Sequence, residues 1–496
     1  MTLLSKAIFA LGPVLSLATA APLFAQSDDS QTQSFKTWVT RSSHRVSSLG
    51  FDAPGNDLSA FGDAIEDARI VVFGDAVEGA AEPLQMRNRL FRYLVENEGF
   101  TTIVLESGIL EGKAVDDYVG GSSGNFDRVL AEGITTGFSG YTGNRDLVRW
   151  MRQRNADPAR KRRLHFFGFD ISGSPLNGLG EGSVDQPLRV ALAYLDRVDP
   201  ESAASFHSRL DPLLPSVFWD FAGAMCVSQG GPWCAEVPES ERAELAGRKQ
   251  YFALDAVERD RLTATIADLV AQIDRNPLRY REASSAEAYD WGLRAAVAAR
   301  QTDAFLRARV PVGWSPPDGP PKVGDGAQKG RTKAMVDNFA WILDHLSKDD
   351  KILVYTTRFH AAGAPLTVGN GAPILPFGAE LRKLHGSDVV IVGDLVSDGE
   401  TGCGTQMVLP IPKPSPTSID GMMASLNVPY FYVDLRQAPA ELSSWLHQQQ
   451  ALQAGGQQRT SLADAFDFLF YTGTLSAACP IDPSAFRVPL PKNIGE

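Results

Sequence analysis

The chain has 496 residues and a formal net charge of -12, with 44% hydrophobic and 21% charged residues. This composition is typical of a globular protein and argues against extensive disorder. The excess of acidic side chains argues against nucleic acid or an anionic membrane surface as the main partner. A chain of this length can form two or three domains, or one α/β unit that carries a large insertion.

The N-terminus has the pattern of a secretory signal, which we predict over residues 1–25. Lys6 precedes the apolar run Ala7–Ala20, and small residues suited to cleavage follow it. The run is short for a transmembrane helix and is interrupted by Gly12 and Pro13, which favours a cleaved signal over a retained membrane anchor. We therefore expect a periplasmic or secreted protein with no stable membrane insertion after the signal is removed.

The four cysteines are expected to be oxidised in an exported chain. Cys226 and Cys234 flank a Gly-Gly-Pro turn, so we expect them to pair, which leaves Cys403 for Cys479. Four cysteines allow three pairings, and the sequence does not choose between them. No C-x-x-C motif occurs, which argues against a thiolate metal site or a redox motif.

Short runs rich in β-branched and aromatic residues predict strands that each end in a polar or glycine-containing turn. In chain order they are Arg69–Phe73, Thr101–Leu105, Leu164–Phe167, Lys351–Tyr355 and Val389–Val392. Nearly continuous apolar strands are typical of a parallel sheet with helices on both faces. The fold class is therefore predicted as α/β, a mainly parallel sheet core flanked by helices, with a large helical insertion.

The insertion is indicated by long helical patterns in the middle of the chain, such as Asp255–Ile273 and Ser284–Arg309, followed by the Pro/Gly-rich stretch Val310–Gly330. That stretch is either a plain linker or a loop at the edge of the cleft. After the signal we predict the first part of the α/β core over 26–186, the helical insertion and Pro/Gly-rich loop over 187–330, and the second part of the core over 331–496.

Charged side chains follow several of the predicted strands, where binding groups of such sheets gather. They are Asp75, Glu78, Glu106 and Asp170, and later Arg358 with His360. A single acid after a strand is usually solvated or caps a helix. Acids after successive strands indicate a shared cleft.

These segments, taken in order, resemble the erythromycin esterase family. The run Gly74–Glu82 with Arg87 is similar to the family pattern G-E-x-x-H-G-x-x-E followed by an arginine, and Glu106 lies on a strand similar to the family's second, acid-bearing strand. Further similar segments are Gly168–Asp170, the R-x-x-x-M-x-x-N-x-x-W pattern from Arg331 to Trp341, and Val354–His360, which is similar to V-W-A-H-N-x-H. The resemblance implies a hydrolase with an α/β core that opens an ester or lactone with an activated water molecule.

The chain departs from the family at the residues that carry the chemistry. Glu78 stands where the family has its base histidine, Asp75 where it has glutamate, and Thr357 with Arg358 where it has histidine and asparagine. A carboxylate can act as general base when burial or a neighbouring like charge raises its pKa. The predicted catalytic residues are Glu78 as base with Asp75 and Glu106 beside it, Arg87 or Arg358 to stabilise an oxyanion, and His360 as acid.

Two other functions use the same atoms. The chain can be an inactive family member that binds a small molecule in the cleft, or three carboxylates and a histidine can hold a divalent metal. The absence of a G-x-S-x-G motif argues against a serine-triad hydrolase. The sequence predicts no cofactor, no nucleic-acid partner, and a small-molecule ester or lactone as substrate.

Overall fold

The structure is a computed structural model that describes residues 23–65, 67–135, 141–173, 183–213, 251, 254–310, 325–369, 371–402, 409–453 and 457–478. Its centre is a nine-stranded sheet that contains His44–Arg45 (β1), Ile70–Asp75 (β2), Phe100–Gly108 (β3), His165–Asp170 (β4), Lys351–Thr357 (β5), Val389–Thr401 (β7), Leu409–Ile411 (β8), Phe431–Asp434 (β9) and Phe468–Leu475 (β12). The order of the strands is β1-β9-β12-β7-β2-β5-β3-β4, with β8 paired to β7.

The contiguous strands β12, β7, β2, β5, β3 and β4 are parallel, whereas β9 and β1 extend the sheet antiparallel at one end. Every residue of β2 and β3 is buried, because helices cover both faces of the sheet. A second, antiparallel sheet has the order β10-β11-β6 and contains Thr367–Val368 (β6), Gln449–Leu452 (β10) and Gln458–Ser461 (β11).

The described helices lie before, between and after these strands. They are Leu23–Ser42, Ser59–Ala64, Ala81–Asn97, Ile109–Val119, Phe126–Gly133, Thr142–Ala156, Asp185–Val198, Pro200–Leu210, Ala256–Asp274, Pro277–Ala283, Ala286–Arg309, Asp325–His345, Arg358–Ala361, Phe377–His385, Ile419–Ala424, Ala440–Leu446 and Leu462–Ala465. The helix Ala81–Asn97 joins β2 to β3 and is followed by Gly99 at φ +75°, a backbone conformation that favours glycine after a helix. None of the described helices is both long and apolar enough to span a bilayer.

The α/β prediction with a mainly parallel sheet is confirmed, and all five predicted strands are present as β2, β3, β4, β5 and β7. The sequence interpretation missed β9 and β12, which follow helix Ile419–Ala424 in the last part of the chain. Within 187–330 the described residues are mostly helical and share a separate apolar cluster that includes Leu195, Ile266 and Tyr280. The domain boundaries themselves stay a prediction.

Several predictions lie outside the described residues. They concern residues 1–22 of the expected signal, all four cysteines, and residues 311–324 of the Pro/Gly-rich stretch.

Candidate active site

The carboxyl ends of β2, β5, β3 and β4 meet at one edge of the sheet, because these neighbouring strands are parallel. Asp75 is the last residue of β2 and is in register with Thr357 at the end of β5. Glu106 lies near the end of β3, and Asp170 is the last residue of β4. Strand order thus places three acids on adjacent or nearly adjacent strands.

Arg331, on the helix Asp325–His345, bridges two of these acids. Its Nη2 donates to Oε1 of Glu106 at 2.8 Å, and its Nε donates to both carboxylate oxygens of Asp170 at 3.0 and 3.1 Å. Asn338, two turns later, donates to the backbone carbonyls of Phe169 and Asp170 at 3.0 Å and fixes the helix against the end of β4. Arg331 therefore places a positive charge between Glu106 and Asp170.

The second oxygen of Glu106 accepts from the hydroxyl of Thr356 and from the backbone N–H of Thr357 at 2.9 Å. Burial acts to raise the pKa of Glu106, but the facing His360 and Arg331 and these hydrogen bonds hold it below its ordinary value. Glu106 is therefore ionised at neutral pH, and both of its oxygens already accept hydrogen bonds. It is poorly placed to accept a proton from water.

His360 lies 3.6 Å from Glu106, measured from Nε2 to Oε1, and its side chain is buried. Burial lowers its pKa more than the charge of Glu106 raises it, so the imidazole is neutral at pH 7. The ionised state of Glu106 then depends mainly on Arg331 and the two threonine donors. Within the described residues, Nδ1 of His360 has no hydrogen-bond partner.

Asp75 accepts hydrogen bonds from the Tyr355 hydroxyl at 2.7 Å and from the Val77 N–H at 2.8 Å. Burial raises its pKa to about 7, although both hydrogen bonds and the charge of Arg87 oppose the rise. The Arg87 guanidinium lies 4.7 Å from the centre of the Tyr355 ring. This trio forms a second charged group beside the Glu106–Arg331 pair.

Arg87 uses Nε and Nη2 to donate to Oδ1 of Asn88, at 3.0 and 2.7 Å. Within the described part of the chain, its Nη1 donates to no residue. The guanidinium is almost fully buried, and burial lowers its pKa to about 10. Arg87 is thus a cation at neutral pH with one donor atom left for a ligand.

Glu78 lies on the turn between β2 and the helix Ala81–Asn97. Its side chain is exposed to solvent and makes no hydrogen bond or ion pair to the described residues. Restricted solvation raises its pKa to about 8, and the negative charges of Glu106 and Asp75 add to the rise. The pKa of Glu78 therefore lies above that of Glu106, which is lowered. Glu78 is the accessible carboxyl among the acids.

The structure does not bring Arg358 into this group. Its side chain is buried, its Nη1 lies 3.3 Å from Oδ1 of Asp420, and the same atom donates to the Asp394 carbonyl at 2.8 Å. Its Nε donates to Gln458 at 3.3 Å. This placement argues against the expected role of Arg358 as an oxyanion donor, because its donors serve the interior.

The sequence interpretation used Arg331 only as a mark of a resemblance, and it placed Asp170 among the acids at the strand ends without giving it a role in the site. The signal was present, since both lie in segments that match family patterns. It also missed Tyr355, whose hydroxyl contacts Asp75. Among the described residues, no group of three or more His, Cys, Asp and Glu side chains is arranged to hold a metal ion.

Proteins of the erythromycin esterase family are similar to this chain in sequence and in fold. The sequence profile of the erythromycin esterase family matches residues 95–474. Erythromycin esterase type II of Escherichia coli is 22% identical over 433 residues, which cover 83% of this chain and 91% of that protein.

Solved structures share the fold. A Bacillus cereus protein superposes with a TM-score of 0.70 at 21% identity and covers 90% of this chain and 99% of its own. A mutant of the erythromycin esterase EreC in its open conformation superposes with a TM-score of 0.61 at 15% identity, covering 86% and 95%. Since the family profile matches most of the sequence, the chain belongs to the erythromycin esterase family, which indicates a hydrolase.

Proposed function

We propose that the protein hydrolyses an ester or lactone of a small molecule with an activated water, and that Glu78 is the general base. The observation that carries this proposal is the contrast among the acids. Glu106 and Asp170 are held by Arg331, and Asp75 is held by Tyr355 and Val77, whereas Glu78 is exposed and unpaired within the described residues. Among these four acids, Glu78 is the one whose carboxylate accepts no hydrogen bond from the described residues and is free to receive a proton.

The proposed reaction needs no covalent intermediate. Ionised Glu78 removes a proton from water while the water oxygen bonds to the carbonyl carbon of the substrate. The oxygen that becomes negative is stabilised by Nη1 of Arg87, the donor with no partner in the described part of the chain. Collapse of the tetrahedral intermediate breaks the bond to the leaving oxygen, which takes the proton back from Glu78 and leaves as an alcohol.

His360 has a supporting role in this scheme. The neutral ring carries one N–H, and its Nε2 faces Glu106 at 3.6 Å. We propose that His360 orients the substrate by a hydrogen bond and is not the acid, because its lowered pKa leaves the ring neutral at pH 7. Its expected role as acid passes to protonated Glu78.

A binding protein without catalysis is the second candidate. The raised pKa of Glu78 favours it, because a carboxyl with a pKa of about 8 is mostly protonated at neutral pH. A divalent metal is disfavoured, because the Arg331 guanidinium already occupies the space between Glu106 and Asp170. We also propose that the protein is exported, on the strength of the N-terminal pattern alone.

The test is hydrolysis of a panel of small-molecule esters and lactones by the purified mature protein in ¹⁸O-labelled water. The proposal expects turnover in which the acid product of each single turnover carries one solvent oxygen. Saturable binding of panel members with no turnover at any pH from 6 to 10 would establish the binding protein instead. Turnover that requires an added divalent metal and stops with a chelator would overturn the metal-free scheme.

A further inference from the structure

A buried acid, Asp394, lies beneath the proposed site and has no role in the scheme above. It is on β7, immediately after Gly393, which is in register with Gly74 of β2. Asp394 is therefore the lateral neighbour of Asp75 across the two parallel strands. Its side chain is fully buried. Its Oδ1 accepts from the Thr472 hydroxyl at 2.9 Å, whereas its Oδ2 has no hydrogen-bond partner among the described residues.

Asp420, a second fully buried acid close by, is bonded in a different way. Its Oδ1 pairs with Arg358 at 3.3 Å and accepts from the Val396 N–H at 3.4 Å, and its Oδ2 accepts from the Gln453 N–H at 2.8 Å. Both oxygens of Asp420 are thus satisfied as a carboxylate requires. The second carboxylate oxygen of Asp394 has no such partner among the described residues, although Arg358 donates to the backbone carbonyl of Asp394.

We propose that Asp394 is a protonated carboxylic acid in the folded protein, and that it positions the turn that carries Glu78. An ionised carboxylate with a bare oxygen in the interior, next to a second acid, costs more free energy than a neutral one. The neutral form places its proton on Oδ2, where no donor points. The claim that Asp394 positions the turn (the positioning half) rests on the proposed function. The claim that Asp394 is protonated (the protonation half) does not.

The surroundings of Asp394 support the neutral form. The charged or titratable groups that act on it are Asp75 from β2, Tyr355 from β5, Arg358 from the short helix after β5, and Tyr471 from β12. Burial and the negative charge of Asp75 raise its pKa well above the ordinary value, and the cation of Arg358 only partly opposes them.

The side chain of Asp394 lies against the backbone of the turn that carries Glu78. The N–H of Ala76 lies against the Asp394 carboxyl and opposes the rise in its pKa, and the next N–H, of Val77, donates to Asp75. On the far side of the turn the Thr401 hydroxyl donates to the Glu78 carbonyl. The turn is therefore held by two side chains of β7, of which Asp394 contributes no negative charge to the cleft.

The protonation half is tested by the pH dependence of unfolding in urea for wild type, Asp394→Asn and Asp420→Asn. A raised pKa in the folded state gives stability that is complete below the unfolded pKa and is lost as pH rises toward the folded pKa. Relative to wild type, Asp394→Asn should therefore become steadily more stable from pH 5 to pH 8. Asp420→Asn should be destabilised at every pH, because it leaves Arg358 without its carboxylate. Parallel curves for wild type and Asp394→Asn would overturn the proposal.

If Asp394→Asn does not fold, carboxyl ¹³C NMR of wild type labelled at aspartate decides the same question. One buried aspartate should keep the chemical shift of a protonated acid at pH 8, above the range in which Asp75 titrates. Aspartate signals that all have the ionised shift at pH 8 would contradict the proposal.

The positioning half is tested by kinetics. Asp394→Asn, which mimics the protonated acid, should keep kcat within about threefold and leave the acid limb of the pH profile unmoved. Asp394→Ala should lose at least tenfold in kcat, because the turn loses its support. An acid limb that moves to lower pH in Asp394→Asn would show that Asp394 was ionised and contradict the proposal. If wild type has no activity on the ester and lactone panel, the positioning role of Asp394 falls with the proposed function, while the unfolding and NMR results still decide whether Asp394 is protonated.

Discussion

Arg331 and the buried Glu106 form an ion pair in which Nη2 lies 2.8 Å from Oε1. The same guanidinium also donates to Asp170, so one cation compensates two acids from neighbouring strands. The acids of the cleft therefore differ in state despite their proximity. Those next to Arg331 are anchored, and Glu78 is available for chemistry.

Removing the Arg331 guanidinium should destabilise the fold. In Arg331→Met, Glu106 and Asp170 lose their shared cation while staying in the interior, and breaking a buried pair costs about 3–5 kcal/mol. The loss in the free energy of unfolding, measured in urea, should lie near the lower end of this range, because Arg331 is partly exposed. Lys333→Met, which breaks an exposed pair with Asp337 on the same helix, is the matched control and should cost under about 1 kcal/mol. Equal losses in the two variants would contradict the anchoring role.

Arg358 should behave as a structural residue. Arg358→Met leaves Asp420 buried without its cation and should lower the free energy of unfolding by about 3–5 kcal/mol. Asp420→Asn in the same chain should restore part of that loss, because no charge then stays unpaired. The check is a double-mutant cycle in urea. Additive losses in the double variant would show that the pair is not coupled.

The pKa of Asp75 predicts a pH dependence of stability. Its folded value is raised from 3.8 to about 7, so the folded protein binds this proton more tightly than the unfolded chain does. The stability from this group is complete below about pH 4 and is lost as pH rises to about 7. Asp75→Asn should therefore gain on wild type in melting temperature over that window. A melting-temperature curve for Asp75→Asn that runs parallel to that of wild type from about pH 4 to about pH 7 would refute the raised pKa of Asp75.

The cysteines give a test of export. Non-reducing peptide mapping of protein from the native host should find Cys226 linked to Cys234 and Cys403 linked to Cys479, and N-terminal sequencing should find the mature chain starting near residue 26. Four free thiols together with an intact N-terminus would count against both oxidation and export.

The parallel core could be predicted from sequence because β2, β3 and β5 are continuous apolar runs, as a sheet covered on both faces requires. The sequence interpretation missed β9, which has only four residues, and it did not single out the apolar run that begins β12. Asp75, Glu78 and Glu106 could be placed at one edge from strand ends alone. The orientation of Arg358 could not, because the choice between the cleft and Asp420 depends on Ile419–Ala424, a helix distant in sequence.

The role of Glu78 as general base is tested most directly by the pH profile of kcat/KM for wild type and Glu78→Gln on an ester that the protein hydrolyses. With Glu78 as base, wild-type kcat/KM should rise with pH and level off above the carboxyl's pKa of about 8. Glu78→Gln keeps the size and polarity of the side chain but removes the base, so kcat should fall by roughly 10² to 10⁴ and the rise should disappear. Hydrolysis that persists in Glu78→Gln with the wild-type rate and pH profile would show that Glu78 is not the base.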